Sequence, residues 1–407
     1  MRVFSKQSIS TVSVRIIVMF SGIISSIITA HALGPAGRGE LIAITTFGLS
    51  VANFANLGFP SSNTYYVSSD INLLTPIFFN LAFISIGGGL LAFVLTLLLY
   101  YPEGHFFFLK SIYMFFFVAT TMMASFSSNI LVSINKIKQY NYLDLLQNIS
   151  VIFFYILGFF LKLSSAYFLI FGLIGTSIGS IFGIINLNKL LVSKNLRFNL
   201  GLFKKSFRYA FKVFITTFVA FFIARGNIFL LQKTHTISEI GYFSIALQLY
   251  DAIVIIPSAI GLLLFPQLIK SSGSQRHSNM IKVLKQVALV MFILCLGAFF
   301  SIPFLIPLVF GDSFHPSIII AQLLLPAAFF IGLMGVVSQY LASIGYPIGQ
   351  VIIWLIAFII WVILSSLFVP QSGAKGTAIV LTIVNFLTFL LLFILSYKKK
   401  RENERAK

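Results

Sequence analysis

Charge comes in short bursts along this chain, and between the bursts lie apolar stretches of about 20 residues or more. That pattern constrains the fold more than any single motif. Charged residues are 9% of the sequence and the mean hydropathy is +1.01, whereas soluble domains carry roughly 25% charge. Such a chain cannot cover itself with polar surface in water. In a bilayer the requirement vanishes, because lipid-facing positions should be apolar, and the 47 Phe residues suit lipid-facing and packing roles. The apolar runs are continuous and lack period-2 alternation, which argues against a β-barrel. At roughly 30 to 35 residues per span and turn, 407 residues accommodate about twelve spans and no large water-soluble domain. The expectation is an all-α polytopic membrane protein.

The spans fall near 10–33, 40–67, 74–100, 106–134, 142–162, 166–190, 210–232, 239–268, 284–310, 316–343, 347–369 and 374–397. Most of the 28 Lys and Arg residues then collect on one side. They are Arg2 and Lys6, Lys136 and Lys138, the group from Lys189 to Lys212, the group from Lys270 to Lys285, and the tail from Lys398 to Lys407. The other side holds Arg38, Lys110, Lys162, Lys233 and Lys375, while Arg15 and Arg225 lie within spans. Short cytoplasmic loops hold the excess of Lys and Arg, so both termini are expected in the cytoplasm. This side preference also accounts for the formal charge of +19 without nucleic acid. Span one, with its basic start and Ala30-His31-Ala32, resembles a signal peptide. It is read as an uncleaved span, because the internal symmetry needs it.

The longest polar connection, from about Val192 to Lys212, divides six spans from six. The expected organisation is an N-terminal lobe over 1–195, a basic amphipathic connector over 196–212, a C-terminal lobe over 213–397 and a basic tail over 398–407. In the connector Phe203, Phe207 and Phe211 recur at i, i+4, i+8 beside Lys204, Lys205, Arg208 and Lys212, the pattern of a helix lying on the cytoplasmic leaflet. Both halves open their second span after a glycine turn, at Gly37-Arg38-Gly39-Glu40-Leu41-Ile42-Ala43-Ile44 and at Glu239-Ile240-Gly241-Tyr242-Phe243-Ser244-Ile245-Ala246. Six spans is an even number, so the halves would share an orientation, forming a parallel repeat.

Several chemistries lack their residues. Gly34-Pro35-Ala36-Gly37-Arg38-Gly39 has neither the Lys-Ser/Thr nor the preceding strand of a phosphate loop, and reads as a tight external turn. The single Cys295 has no disulfide partner in the chain, and the His residues are scattered, so no metal or other cofactor is expected. Outer loops are short, with only Glu103 and Asp312 as exposed acids, which argues against an enzyme.

Charges inside the bilayer are costly unless paired or hydrated, and so point to function. Arg225 lies about 12 Å from the outer end of span seven, and Asp251 about 18 Å from that of span eight. Gln248 is one turn from Asp251 on the same face. Arg225 and Asp251 either line a central cavity, with Arg225 attracting an anionic substrate and Asp251 a cation or proton, or form a structural ion pair. Arg15 either faces the cavity or snorkels to the inner headgroups. Asn53 and Asn56 share a face of span two and contact substrate or hydrogen-bond between helices; Asp144 and Gln147 pose the same choice. Pro257, Pro266, Pro303 and Pro307 mark places where spans eight and nine can bend.

The segment Leu33-Gly34-Pro35-Ala36-Gly37-Arg38-Gly39-Glu40 resembles the turn after the first span in Wzx-type polysaccharide flippases, part of the multidrug, oligosaccharidyl-lipid and polysaccharide exporter superfamily. Length, span count, six-plus-six division and the basic connection extend the resemblance over the whole chain. Two positions depart: His31 stands where the family often has Arg, and Asn227 where it often has Asp. The resemblance implies a V-shaped bundle of two lobes in the bacterial inner membrane. It implies flipping of undecaprenyl pyrophosphate-linked oligosaccharide units for O-antigen or capsule synthesis, by alternating access driven by an ion gradient. A glycan polymerase and a chain-length regulator would be partners beside the membrane lipids, and Arg225 would hold the pyrophosphate. The alternatives are an ion-coupled drug or metabolite exporter of the same superfamily, a membrane glycan polymerase or ligase, and a lipid II flippase.

Overall fold

The computed structural model describes residues 6–100, 107–191, 199–271 and 273–405. Arg2, Glu103, His105, Lys194, Arg197 and Lys407 lie outside them, as do the side chains of Arg208, Lys212 and Pro266. Among the described residues there is no strand. The helices are α1 (Lys6–Ala55), α2 (Phe59–Ser69), α3 (Leu74–Tyr100), α4 (Phe107–Ser133), α5 (Ile137–Phe160), α6 (Ser165–Asn188), α7 (Leu200–Arg225), α8 (Asn227–Thr234), α9 (Ile237–Lys270), α10 (Gly273–Phe310), α11 (Ser317–Ser343) and α12 (Ile348–Arg405). Helices are the expected answer to an apolar medium, since each satisfies its own backbone hydrogen bonds.

Nine stretches among the described residues are long and apolar enough to cross a membrane. The two longest, within α1 and α12, are each two helices joined at a glycine. Gly34 has φ 62° and Gly373 has φ 55°, left-handed values that favour glycine. The seventh expected span is not among the nine; it is divided at Gly226 into α7 and α8 and carries basic residues along α7.

Where helices break, side chains take up the freed backbone groups. The Ala374 N–H, just past the Gly373 kink, donates to Glu239 Oε2 at 3.0 Å. Between α1 and α2 the Gly58 N–H donates to Asn56 Oδ1 at 2.9 Å. Arg276 donates to the carbonyls of Ser343 and Ser271 at the ends of α11 and α9, where helix dipoles favour a cation.

The chain forms two compact units, residues 1–33 with 43–218, and residues 34–42 with 219–407. In the first, α3 packs on α4 and α5 on α6. Gly175 and Gly179 of α6 lie against Val151 and Gln147 of α5, so glycines four apart meet side chains four apart. Asn80 of α3 clamps the start of α7: it donates to the Asn199 carbonyl and accepts from the Asn199 N–H, at 3.0 and 2.9 Å. From Leu200 the helix runs without interruption out of the expected connector and into the following span, as far as Arg225. In the second unit α11 is central, packed on α9, α10 and α12. On the outside of α10, Phe304 and Leu308 are 77% and 80% exposed, as lipid-facing residues should be.

The segment 34–42 belongs to the second unit although its flanks belong to the first. A Cβ on Gly39 would collide with the Ile237 carbonyl oxygen, and one on Gly241 with the Pro35 carbonyl oxygen. Each glycine therefore covers the carbonyl four residues before the other. The two glycine openings matched in sequence thus cross each other reciprocally, backbone against backbone. Arg38, 3% exposed, seals the crossing by donating from Nε to Ser244 Oγ at 2.8 Å. The expected external turn is instead a helix start docked on α9.

Because only a hydrogen fits there, Gly39→Ala and Gly241→Ala should each lower stability by about 1–3 kcal/mol. Gly87→Ala, where nothing lies within 4 Å, should not. Thermal unfolding of the purified variants in detergent checks this.

Candidate functional site

The break at Gly226 builds the site. A Cβ there would lie 2.6 Å from both the Phe222 carbonyl oxygen and the Trp361 ring, so glycine lets α12 approach and ends α7 at Arg225. The Arg225 guanidinium donates from Nη2 to Asp251 Oδ2 of α9 at 2.5 Å. The side chains are 33% and 41% exposed, so the pair is neither sealed in the core nor free. Charge-assisted pairing of this kind cancels net charge while leaving donors and acceptors open. Gln248, half-buried, stands one turn before Asp251 on α9.

Asp251 is presented by a fixed neighbour. Tyr250 is 8% exposed, and its hydroxyl accepts from Asn385 Nδ2, which also donates to the Ala327 carbonyl. This links α9, α11 and α12 directly behind the pair.

Asn227 opens α8 two residues past Arg225 and is fully buried. Neither its Oδ1 nor its Nδ2 has a hydrogen-bonding partner. On α12, packed against α8, the Trp361 Nε1 and Ser365 Oγ are likewise buried and unpartnered. The interface of these helices thus holds neutral polar groups, with an amide where the resemblance leads one to expect an acid.

The other candidates lie in the first unit. Arg15 of α1 lies near Tyr140 and Asp144 of α5, close enough for the three to interact electrostatically. Tyr140 is the member that sequence reasoning missed, although its spacing of i, i+4 from Asp144 places both on one face. Asn53 donates from Nδ2 to the Leu49 carbonyl of its own helix at 2.9 Å, and Asn56 satisfies the α1–α2 break. The structure therefore brings Arg225 and Asp251 together with Gln248 nearby, and ties Arg15 to a tyrosine and an aspartate.

Neutralising one partner should cost more than neutralising both. Asp251→Asn or Arg225→Gln alone should lower stability by about 1–3 kcal/mol, and the double variant should recover most of that. A double-mutant cycle on thermal unfolding measures the coupling.

Comparison with known proteins agrees with this architecture. A family model described as "Polysaccharide biosynthesis protein" matches residues 4–272. No curated protein sequence matches significantly. Among solved structures, the lipid II flippase MurJ in an inward closed conformation is similar, at 17% identity and TM-score 0.72 over 98% of this chain and 90% of that one. An inward-facing multidrug resistance MATE family transporter of the MOP superfamily is similar at 12% identity and TM-score 0.71, covering 96% of both chains. A MOP superfamily transporter from Pyrococcus furiosus matches at 12% identity and TM-score 0.66 over 96% and 93%. At these identities the likeness is one of fold.

Proposed function

The chain belongs to the polysaccharide biosynthesis protein family, and on that premise we propose that it flips undecaprenyl pyrophosphate-linked oligosaccharide units across the bacterial inner membrane. The units would serve O-antigen or capsule synthesis. Both termini lie in the cytoplasm, as the distribution of Lys and Arg favours. A glycan polymerase and a chain-length regulator act on the delivered units. The protein itself makes and breaks no covalent bond.

The observation that carries this reading is the half-exposed Arg225–Asp251 pair within the helical bundle. A diphosphate is a strong competitor for an arginine, because the guanidinium fork matches phosphate oxygens in charge and geometry. An incoming pyrophosphate takes Arg225 from Asp251, exchanging one charge-assisted pairing for another, and the freed Asp251 carboxylate takes up a proton or cation. The unit binds without leaving a lone cation in a poorly hydrated place. Asp251 is then released, and its pairing with Arg225 is restored when the pyrophosphate leaves. Gln248 is placed to hydrogen-bond the sugar or phosphate beside the exchange. Within the first unit, Arg15 beside Tyr140 and Asp144 is a cation suited to an anionic group, and Asn53 and Asn56 are polar groups along α1.

The double variant Arg225→Gln with Asp251→Asn leaves neither charge unpaired. In a strain lacking the gene it should accumulate to the wild-type level yet fail to restore surface glycan, with lipid-linked units building up inside. Wild-type glycan from that variant would sink this assignment.

A further inference from the structure

A cavity of about 510 Å³ lies along the last turns of α12, in the second unit. Phe393, Ile394, Tyr397, Lys398, Arg401 and Glu402 line it. These positions fall at i, i+1, i+4, i+5, i+8 and i+9, so they form one stripe on the helix. At 1.5 Å per residue the stripe is about 14 Å long. Its character changes along that length. From Gly376 to Tyr397 the sequence has no Asp, Glu, Lys or Arg, and at Lys398 a run of four basic residues begins. One end of the cavity is therefore apolar and the other cationic, in the order in which a bilayer passes from acyl chain to headgroup.

The boundary between the two ends is held in place by packing. The Tyr397 ring stands edge-on to buried His277 of α10, with centroids 4.7 Å apart, and packs on Phe393 at 5.1 Å. His277 is in turn edge-on to Tyr340 of α11 at 5.3 Å. Three helices thus fix one ring, while Tyr397 and Ile394 keep 42% and 56% of their surface exposed. The charges are sorted as well. Lys399, which does not line the cavity, holds the Glu402 carboxylate at 2.5 Å. Arg276, at the start of α10, is taken up by the carbonyls of Ser343 and Ser271. Lys398 and Arg401, three residues apart and both exposed, give the cavity its positive end.

An apolar wall that ends in a fixed aromatic ring and two cations has the layout of one phospholipid. We infer that the end of α12 is a binding site for an anionic diacyl phospholipid. Its phosphate sits between the Lys398 ammonium and the Arg401 guanidinium, whose fork matches phosphate oxygens. The Tyr397 hydroxyl lies at the level of the glycerol, and an acyl chain runs over Ile394 and Phe393. Two cations beside an acid that is already paired favour a headgroup of net negative charge over a zwitterion, whose own ammonium would meet like charge. A basic run that only set the direction of insertion would need neither the cavity nor the fixed ring. The site is separate from the Arg225–Asp251 pair and does not depend on the flippase reading.

The test titrates the full chain in dodecyl maltoside with dioleoyl phosphatidylglycerol, and with dioleoyl phosphatidylcholine as comparator, counting bound lipid by native mass spectrometry. The wild type should bind its first phosphatidylglycerol about tenfold more tightly than phosphatidylcholine. Changing Lys398 and Arg401 together to Gln should remove most of that difference, and both side chains are exposed, so the fold should be undisturbed. Changing Lys204 and Lys205 to Gln takes the same two charges from exposed positions in the first unit and should keep it. Glycerophosphoglycerol, the headgroup without its chains, should not displace the lipid. Equal binding of both lipids by the wild type overturns the site, and so does undiminished selectivity in the Lys398 and Arg401 variant. Equal loss of selectivity in the two variants would mean that total charge attracts the lipid, which also overturns it. Displacement by glycerophosphoglycerol would leave an anion site and no lipid site.

Discussion

Hydrocarbon offers a peptide group nothing to hydrogen-bond, and the rest of this structure follows from that constraint. Apolar segments must close their hydrogen bonds within themselves, so the described chain is helical with short turns. The informative places are the interruptions. At Gly373 the freed N–H of Ala374 meets the Glu239 carboxylate, and at Gly58 a backbone N–H meets the Asn56 amide. At Gly226 the helix stops so that Trp361 can approach. Each of these breaks has a named partner: Glu239, Asn56 and Trp361.

The same economy of polar groups explains the glycine crossing. Without a hydrophobic force between helices in lipid, tight approach depends on small residues and a few hydrogen bonds. Gly39 and Gly241 let two helix starts touch backbone to backbone, and buried Arg38 reaches Ser244 across the contact. The sequence motif that carried the family resemblance is therefore a packing device, and its Arg38 serves structure. The intramembrane arginine that is half-exposed and paired with a carboxylate, Arg225, stands where an anion can compete for it.

The candidate residues were legible to different degrees. Arg225 and Asp251 stood out because charge in an apolar run is rare; that they touch, at 2.5 Å, is a fact of the structure. Tyr140 was overlooked because tyrosine is unremarkable in a membrane helix until Arg15 and Asp144 are seen around it. The links from Asn385 to Tyr250 and from Arg276 to two helix ends join residues far apart in sequence, and no spacing rule reaches that distance.

Read alone, the sequence determined the medium, the helical class and the places where charge had to be explained, because those depend on composition and on the roughly 20 residues a span requires. It also marked the phenylalanine spacing on α7, since i, i+4, i+8 is a property of one helix. Only the tertiary structure decided that the connector continues as one helix into the seventh span up to Arg225, that Phe211 on it is exposed while Phe214 is buried, and that segment 34–42 belongs with the second unit. Helix periodicity says which residues share a face. What covers that face is set by packing between distant segments, and local sequence does not encode it.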